Sequence, residues 1–208
     1  MFLSNPKNIH TILFDFHGVL CFYEFYKPML ELEYPEKLEW ISKNVFEEDK
    51  GLVRKWMRGE ISSDEMNRNI AKRAGMDFDV LNKAFIESAL NMKLDEKLLL
   101  FISKIREAGM KVGLVTDNMD VFSEITAPAH RLKEKFDAIV NSVDYGFLKK
   151  ENHGKLFDIA LEKLGGSIQN SLMVDNQPAV IELFESKGGI GYLYTDFPAF
   201  DAWATINI

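Results

Sequence analysis

Thr11-Ile12-Leu13-Phe14-Asp15-Phe16-His17-Gly18-Val19-Leu20 is the stretch whose reading decides the fold. The β-formers Ile12, Leu13 and Phe14 lead straight into an acid, Asp15, and Gly18 then permits a tight turn where a Cβ would obstruct. An apolar strand that ends in a carboxylate and a glycine turn is how an open α/β sheet presents a reactive group at its carboxyl edge. Asp15 therefore anchors the functional reading, and His17, two residues later, qualifies it.

The rest of the chain supports such a sheet. From residue 94 onward, strand-like and helix-like segments alternate. A helix over 95–108 stops at Gly109, and a strand over 111–116 ends in Thr116-Asp117-Asn118. A helical stretch follows to about Lys135, with a break expected near Pro128, and a strand covers 137–141. After the polar turn at Lys149-Lys150, a helix over 152–164 stops at Gly165-Gly166. A strand over 171–175 again ends in an acid, Asp175, before a helix over 178–187 and a last strand over 190–194. Elements of these lengths in alternation imply a parallel sheet with helices on both faces. Right-handed crossovers then bring every strand's carboxyl end to one edge.

Residues 21–92 have a different character, with Tyr, Glu, Lys and Trp at helical spacing and no strand-like run. Four helical segments are expected there, over 35–49, 52–58, 62–74 and 78–90. Ser62 with Glu65 three residues on makes a capping box, and Gly75 fits a C-terminal stop. The expected layout is a core of residues 1–20 and 93–208 with a helical insert at 21–92.

Composition narrows the partners. The 208 residues are 47% hydrophobic and 27% charged, ordinary for a globular protein, and suffice for a sizeable core. A formal net charge of −7 argues against nucleic acid or an anionic membrane as the main partner. A small anionic substrate stays compatible, because a local Lys or a bound cation reverses the field locally. The single cysteine, Cys21, cannot form an internal disulfide, which suits a reducing compartment. The opening Met1-Phe2-Leu3-Ser4-Asn5-Pro6-Lys7 is too short and polar for a signal peptide, and no apolar run approaches ~18 residues. A cytoplasmic protein is expected, as a monomer or a homodimer.

Asp15, Thr116 and Asp175 converge on the carboxyl edge, and the loop after a fourth strand supplies Lys149 or Lys150. Two carboxylates, a hydroxyl and an ammonium suit a phosphate and a divalent cation: the acids offer hard oxygens to Mg²⁺, while Lys and Thr hold phosphoryl oxygens. A carboxylate also serves as a nucleophile that forms an acyl-phosphate. Taken singly, Asp15 and Asp175 read equally as helix caps, Thr116 reads more readily as a cap, and the two lysines as a solvated pair. Their order, each at or just beyond a strand end, is what favours a joint site.

These residues carry a family resemblance. The chain resembles the haloacid dehalogenase-like (HAD) hydrolase superfamily over essentially its whole length, in the subfamily with a helical cap after the first strand. Asp15-Phe16-His17-Gly18-Val19 matches that family's Asp-x-Asp-Gly-x motif except at its third position. Thr116 matches the Ser or Thr that ends a strand. Ser142, Gly146 and Lys149 match Ser-x-x-x-Gly-x-x-Lys, with Lys150 where Pro is common, and Asp175-Asn176 match the acids after an apolar strand. The resemblance implies a Rossmann-like core with a cap, Asp15 as nucleophile, and Mg²⁺ held by Asp15, Asp175 and the His17 carbonyl, with Asn176 beside it. It implies phosphoryl oxygens held by Thr116 and Lys149, with Asp117 and Asn118 near the substrate. A small phosphorylated metabolite is the implied substrate, and the cap would exclude water and read the leaving group.

His17 departs from that pattern. In the family's phosphatases this position is an Asp that protonates the leaving alkoxide and later activates water, and loss of a general acid–base costs about 10²–10⁴-fold. The metal role survives, since the position contributes its carbonyl. Three readings stay open. Imidazole titrates near neutrality and can serve as acid and base, although Mg²⁺ nearby disfavours the imidazolium. The chemistry can instead be dehalogenation, in which halide leaves without a proton and no metal is used. Or the fold is kept for binding or regulation.

Other residues read as packing. Cys21 reads as a small buried hydrophobe, Phe22-Tyr23-Glu24-Phe25-Tyr26 as hinge and cap packing, and Trp40 and Trp56 as the cap's own core. Phe200 and Trp203 read as packing, His153 as a first-turn helix residue, and His10 and His130 show no evident partner.

Overall fold

A computed structural model describes residues 8–208; the opening heptapeptide, and with it the signal-peptide expectation, lies outside them. Five parallel strands form one sheet: β1 (Thr11–Phe14), β2 (Lys111–Thr116), β3 (Ala138–Asn141), β4 (Ser171–Asp175) and β5 (Ile190–Leu193), in the order β3-β2-β1-β4-β5. The chain grows outward from β1 to β3, then returns to β4 on the other flank of β1. That reversal places a crevice at the carboxyl end of the central strand.

Between β1 and β2 lie α1 (Lys27–Glu33), α2 (Pro35–Ile41), a π-helical turn (Ser42–Glu47), α3 (Lys50–Met57), α4 (Ser63–Ala74), α5 (Phe78–Leu90) and α6 (Glu96–Glu107). A second π-helical turn (Phe122–Thr126), the short α7 (Ala127–Ala129) and α8 (Leu132–Lys135) join β2 to β3. Helices α9 (Lys155–Leu164), α10 (Pro178–Ser186) and α11 (Phe197–Asn207) complete the chain. Among the described residues, no helix is long and apolar enough to cross a membrane.

Strand alternation sorts the core onto two faces. Ile12, Phe14, Leu114 and Val174 pack with Leu98 and Ile102 of α6 and Phe200 of α11. Leu13, Val115 and Met173 pack on the opposite face against Phe157 and Leu161 of α9 and Phe184 of α10. The insert has its own aromatic core around Tyr26, Trp56 and Phe85, and Met119 and Val121, from the loop after β2, are buried in the same cluster. Trp56 is fully buried there and Trp40 packs partly buried against it. Tyr26, where the chain enters the insert, takes a left-handed φ of 66° and donates from its hydroxyl to Asn67 Oδ1 at 2.6 Å.

The capping box of α4 forms as expected: Glu65 N–H donates to Ser62 Oγ at 3.2 Å, Ser62 N–H donates to Glu65 Oε2 at 2.9 Å, and Gly75 closes the helix at φ 60°. Five expectations need correction. The insert has a further helix, α1, which starts without a side-chain cap and buries only Leu30. The 35–49 segment is α-helical only to Ile41 and then widens into the π turn. Before β3 the break expected near Pro128 falls at His130-Arg131, with Arg131 in left-handed conformation, while Pro128 itself lies in the helical run that continues from the π turn. Asn152, His153 and Gly154 all take positive φ, so α9 begins at Lys155 and His153 belongs to the preceding turn. At the C-terminus, Phe200 is packed as expected, but within an unanticipated helix, α11, capped by Asp196.

Candidate active site

Asp15 directly follows β1 and stays in register with β4, its N–H donating to Val174 O at 2.9 Å. Because β1 lies between β2 and β4, Asp15 has Thr116 on one flank and Asp175 on the other. Lys149 arrives from the loop after β3. Its Nζ lies 2.9 Å from Asp15 Oδ1 and donates to Asp175 Oδ2 at 2.6 Å. The backbone N–H of Lys149 donates to Asp117 Oδ1 at 2.7 Å, so the acid after Thr116 fixes the lysine's loop. Asp15, Thr116, Lys149 and Asp175 are all buried.

This arrangement carries surplus negative charge. Burial alone would lower the Lys149 ammonium, but Asp15, Asp175 and Asp117 outweigh it and hold the group above the ordinary lysine range. Burial pushes the Asp175 carboxyl up, with Lys149 pulling it down and Asp15 adding to the rise. Asp117 is pushed up in the same way, by burial first, against the pull of Lys149. One ammonium thus faces three carboxyl groups.

The turn after Asp15 is closed by Phe16 O, which accepts from Leu20 N–H and Cys21 N–H at 2.9 Å each. Gly18 sits at φ 84°, and a Cβ there would stand 2.0 Å from Asn176 Nδ2. The Asp15 loop therefore packs directly on the Asp175 loop, and only glycine fits between them. Gly18→Ala is expected to cost about 1–3 kcal/mol of stability from the left-handed backbone and to drive Asn176 out of its place. In Gly18→Ala/Asn176→Gly the clash disappears, so the deficit that remains in denaturant titrations isolates the backbone cost. A double variant as stable as the unsubstituted protein would refute the φ argument. Cys21, at the end of this turn, is fully buried, and burial pushes its thiol up to about 11, so it reads as packing.

A cavity of about 430 Å³ opens over these residues. From the core it is lined by Asp15, His17, Thr116, Asp117, Asn118, Lys149, Lys150, Asn176 and Gln177 among others, and from the insert by Phe46, Val53, Arg54 and Met57. Asn118 lies in its wall with its backbone committed: its N–H donates to Asn141 Oδ1 at 3.0 Å and Ser142 Oγ at 3.1 Å. His17 is exposed to the cavity, and among the described residues its side chain has no hydrogen bond or ion pair.

The insert is fastened over this edge at several points. Arg58, just past α3, makes a bidentate pair with Glu151, with Nε donating to Oε2 at 2.9 Å. Glu151 Oε2 also accepts from Leu148 N–H at 2.9 Å, next to Lys149. Ser142 Oγ donates to Met57 O at 2.6 Å, and Asp120 accepts from the Ser63 N–H at 2.8 Å and from its hydroxyl. None of Phe46, Arg54, Met57, Arg58 or Glu151 stood out in the sequence. Helical periodicity marks them as ordinary surface or half-buried positions, and only docking of the insert reveals what they face.

The sequence model of the haloacid dehalogenase-like hydrolase family matches residues 9–185. The chain belongs to that family.

Solved HAD structures share the fold. A predicted HAD-like family hydrolase from Porphyromonas gingivalis is 19% identical, with 94% of this chain and 97% of that one covered at a TM-score of 0.70. A HAD family enzyme from Bacteroides thetaiotaomicron, an aspartate-to-alanine variant in complex with magnesium and inorganic phosphate, is 16% identical, with 93% and 98% covered at 0.72. The L-2-haloacid dehalogenase from Xanthobacter autotrophicus with chloropropionic acid covalently bound is 14% identical, with 88% and 76% covered at 0.64. At these identities the likeness shows the fold alone. Among curated proteins, none matches the sequence.

The HAD-like site also bears on a metal. Among the described residues, no three His, Cys, Asp or Glu side chains are grouped to hold an ion. Mg²⁺ does not need such a cage: one or two carboxylates, together with water and substrate oxygens, are its usual set. Asp15, Asp175 and the His17 carbonyl offer hard oxygens of that kind, and the surplus charge on this edge favours a cation. The donor set fits.

Proposed function

We propose that this HAD-like hydrolase is a Mg²⁺-dependent phosphatase of a small phosphorylated metabolite, acting through an aspartyl-phosphate on Asp15. The observation that carries this reading is the Lys149 ammonium held between Asp15 and Asp175, with Asp117 behind it. A halide displacement needs one carboxylate and a counter-charge. A second, fully buried carboxylate beside the first is costly unless a further cation shares it. Mg²⁺, held by Asp15, Asp175 and the His17 carbonyl with Asn176 nearby, supplies charge neutralisation at the phosphoryl group when bound.

The chain's own residues do the rest. A carboxylate oxygen of Asp15 attacks phosphorus, the ester P–O bond breaks, and the leaving alkoxide takes a proton from the His17 imidazolium. Neutral His17 then takes a proton from water as that water attacks the phosphoryl group. The P–O bond to Asp15 breaks, returning the carboxylate and inorganic phosphate. Thr116 and Lys149 hold the phosphoryl oxygens, and Asp117 and Asn118 shape the adjoining wall. Residues 21–92 act as the cap over the core of 1–20 and 93–208, and the protein works in the cytoplasm.

Release of phosphate from p-nitrophenyl phosphate with Mg²⁺, against EDTA and an Asp15→Asn control, tests the reaction. Equal release in all three arms would sink it, and halide release from 2-chloropropionate without metal would replace it by the dehalogenase reading. His17→Ala is expected to lower the rate on alkyl phosphates about 10²-fold. The loss on p-nitrophenyl phosphate should be smaller, because nitrophenolate leaves with little need of a proton. An unchanged alkyl rate together with a flat native pH profile would remove His17 from the chemistry.

A further inference from the structure

A second cavity of about 250 Å³ adjoins the first, and the two share His17, Phe25 and Phe46 in their walls. Its character differs. The first chamber is walled by Asp15, Lys149, Arg54, Lys150 and Glu151, whereas Leu38, Ile41, Tyr23 and the shared Phe25 and Phe46 dominate the second. Its one carboxylate, Glu24, is exposed and paired with Lys27 at 3.4 Å. The shared rings are held from behind: Phe25 lies 5.1 Å from the Phe85 ring and Phe46 lies 6.5 Å from the buried Tyr26 ring. A cavity of about 150 Å³ lined by Leu, Ile and Phe is enough to bind benzene, so this one has room for a larger ring system. Aromatic walls favour an aromatic guest through edge and face contacts.

We infer that the second chamber receives the leaving group of the substrate, an aromatic alcohol whose phosphate ester reaches Asp15 past His17. This rests on the phosphatase reading and adds the substrate class. His17 then stands at the junction of the two chambers, where an imidazole offers the passing ring an aromatic edge that a carboxylate would not. Leu38, Ser42 and Phe46 become specificity-determining positions, all supplied by α2 and the π turn after it.

The test compares 2-naphthylmethyl phosphate with glycerol phosphate. Both are alkyl esters, so the leaving group's intrinsic reactivity weighs little. A kcat/KM preference of about tenfold or more for the naphthylmethyl ester is expected, the scale of apolar groups gained in a pocket. Leu38→Trp, which fills the chamber, should collapse that ratio toward one. Ser42→Trp, from an exposed position, repeats the test should Leu38→Trp fold poorly. Turnover of both esters without preference overturns the chamber assignment and leaves the phosphatase standing. If neither ester is turned over, the phosphatase reading fails, and binding of 2-naphthylmethanol by calorimetry decides the chamber separately. Binding that both tryptophan variants abolish supports it, and no binding overturns it.

Discussion

Lys149→Met is expected to cost about 3–5 kcal/mol of folding stability near neutral pH, the scale of breaking a buried ion pair by removing one partner, and to abolish turnover. The side chain is 1% exposed and its Nζ contacts both Asp15 and Asp175. Methionine keeps the volume and removes the charge, so the loss reports carboxylates left buried without an ammonium. The pH dependence separates this from a packing defect. With Lys149 present, burial already holds the Asp175 carboxyl above its ordinary value; without it, the carboxyl rises further. A folded-state pKa above the unfolded one gives stability that is present in acid and lost as pH rises through the folded value. The deficit of Lys149→Met should therefore be smaller at about pH 5 than at about pH 8 in denaturant titrations. A deficit independent of pH would mean that shape, and not charge, is what Lys149 supplies.

Asp15→Asn should behave in the opposite way. Turnover is expected to fall by on the order of 10⁴-fold or more, as when a covalent nucleophile is removed. Stability should hold or improve by up to about 1 kcal/mol, because one of three negative charges crowding a single ammonium is gone. The Lys149 ammonium keeps Asp175 as its partner while Asp117 still holds the lysine's backbone N–H, and Asp175 loses a neighbour that raises its pKa. Paired assays of phosphate release and chemical denaturation check both halves. A variant both inactive and strongly destabilised would place Asp15 in the scaffold and not in the chemistry.

Much of this edge is legible in the sequence because strand ends are local signals. Ile12-Leu13-Phe14 before Asp15, and Leu172-Met173-Val174 before Asp175, state both the strand and the acid that ends it, and the sheet order then makes them neighbours. The capping box at Ser62 and the stop at Gly165 are equally local, two residues or one backbone angle. What escapes is of two kinds. Some signals were there: Asp196 followed by Phe197-Pro198 is a capped helix start, yet the aromatic run behind it reads only as packing. Others depend on docking. Arg58 and Glu151 lie 93 positions apart, and nothing within either helix or loop indicates the other. The walls of both cavities share that origin, since Phe25 and Phe46 face the site only when the insert's own aromatic core is assembled. A chemistry written at strand ends is thus readable, and the substrate's shape, written across an interface, is not.

The π turn over Ser42–Glu47 also bears on how such a pocket changes over generations. Glu48 N–H reaches back five residues to Lys43 O at 3.0 Å, so the helix carries one residue more per turn than its α-helical lead-in. A one-codon deletion here would restore the α-helical spacing without breaking the helix: residues beyond the turn keep their facing, and those inside it, Phe46 among them, change facing by about 100°. Phe46 would turn off the partition while Asp15, Lys149 and Asp175, on separate elements, kept their places. Single-residue insertions and deletions in this turn offer a route for lineages to exchange one leaving group for another at constant chemistry.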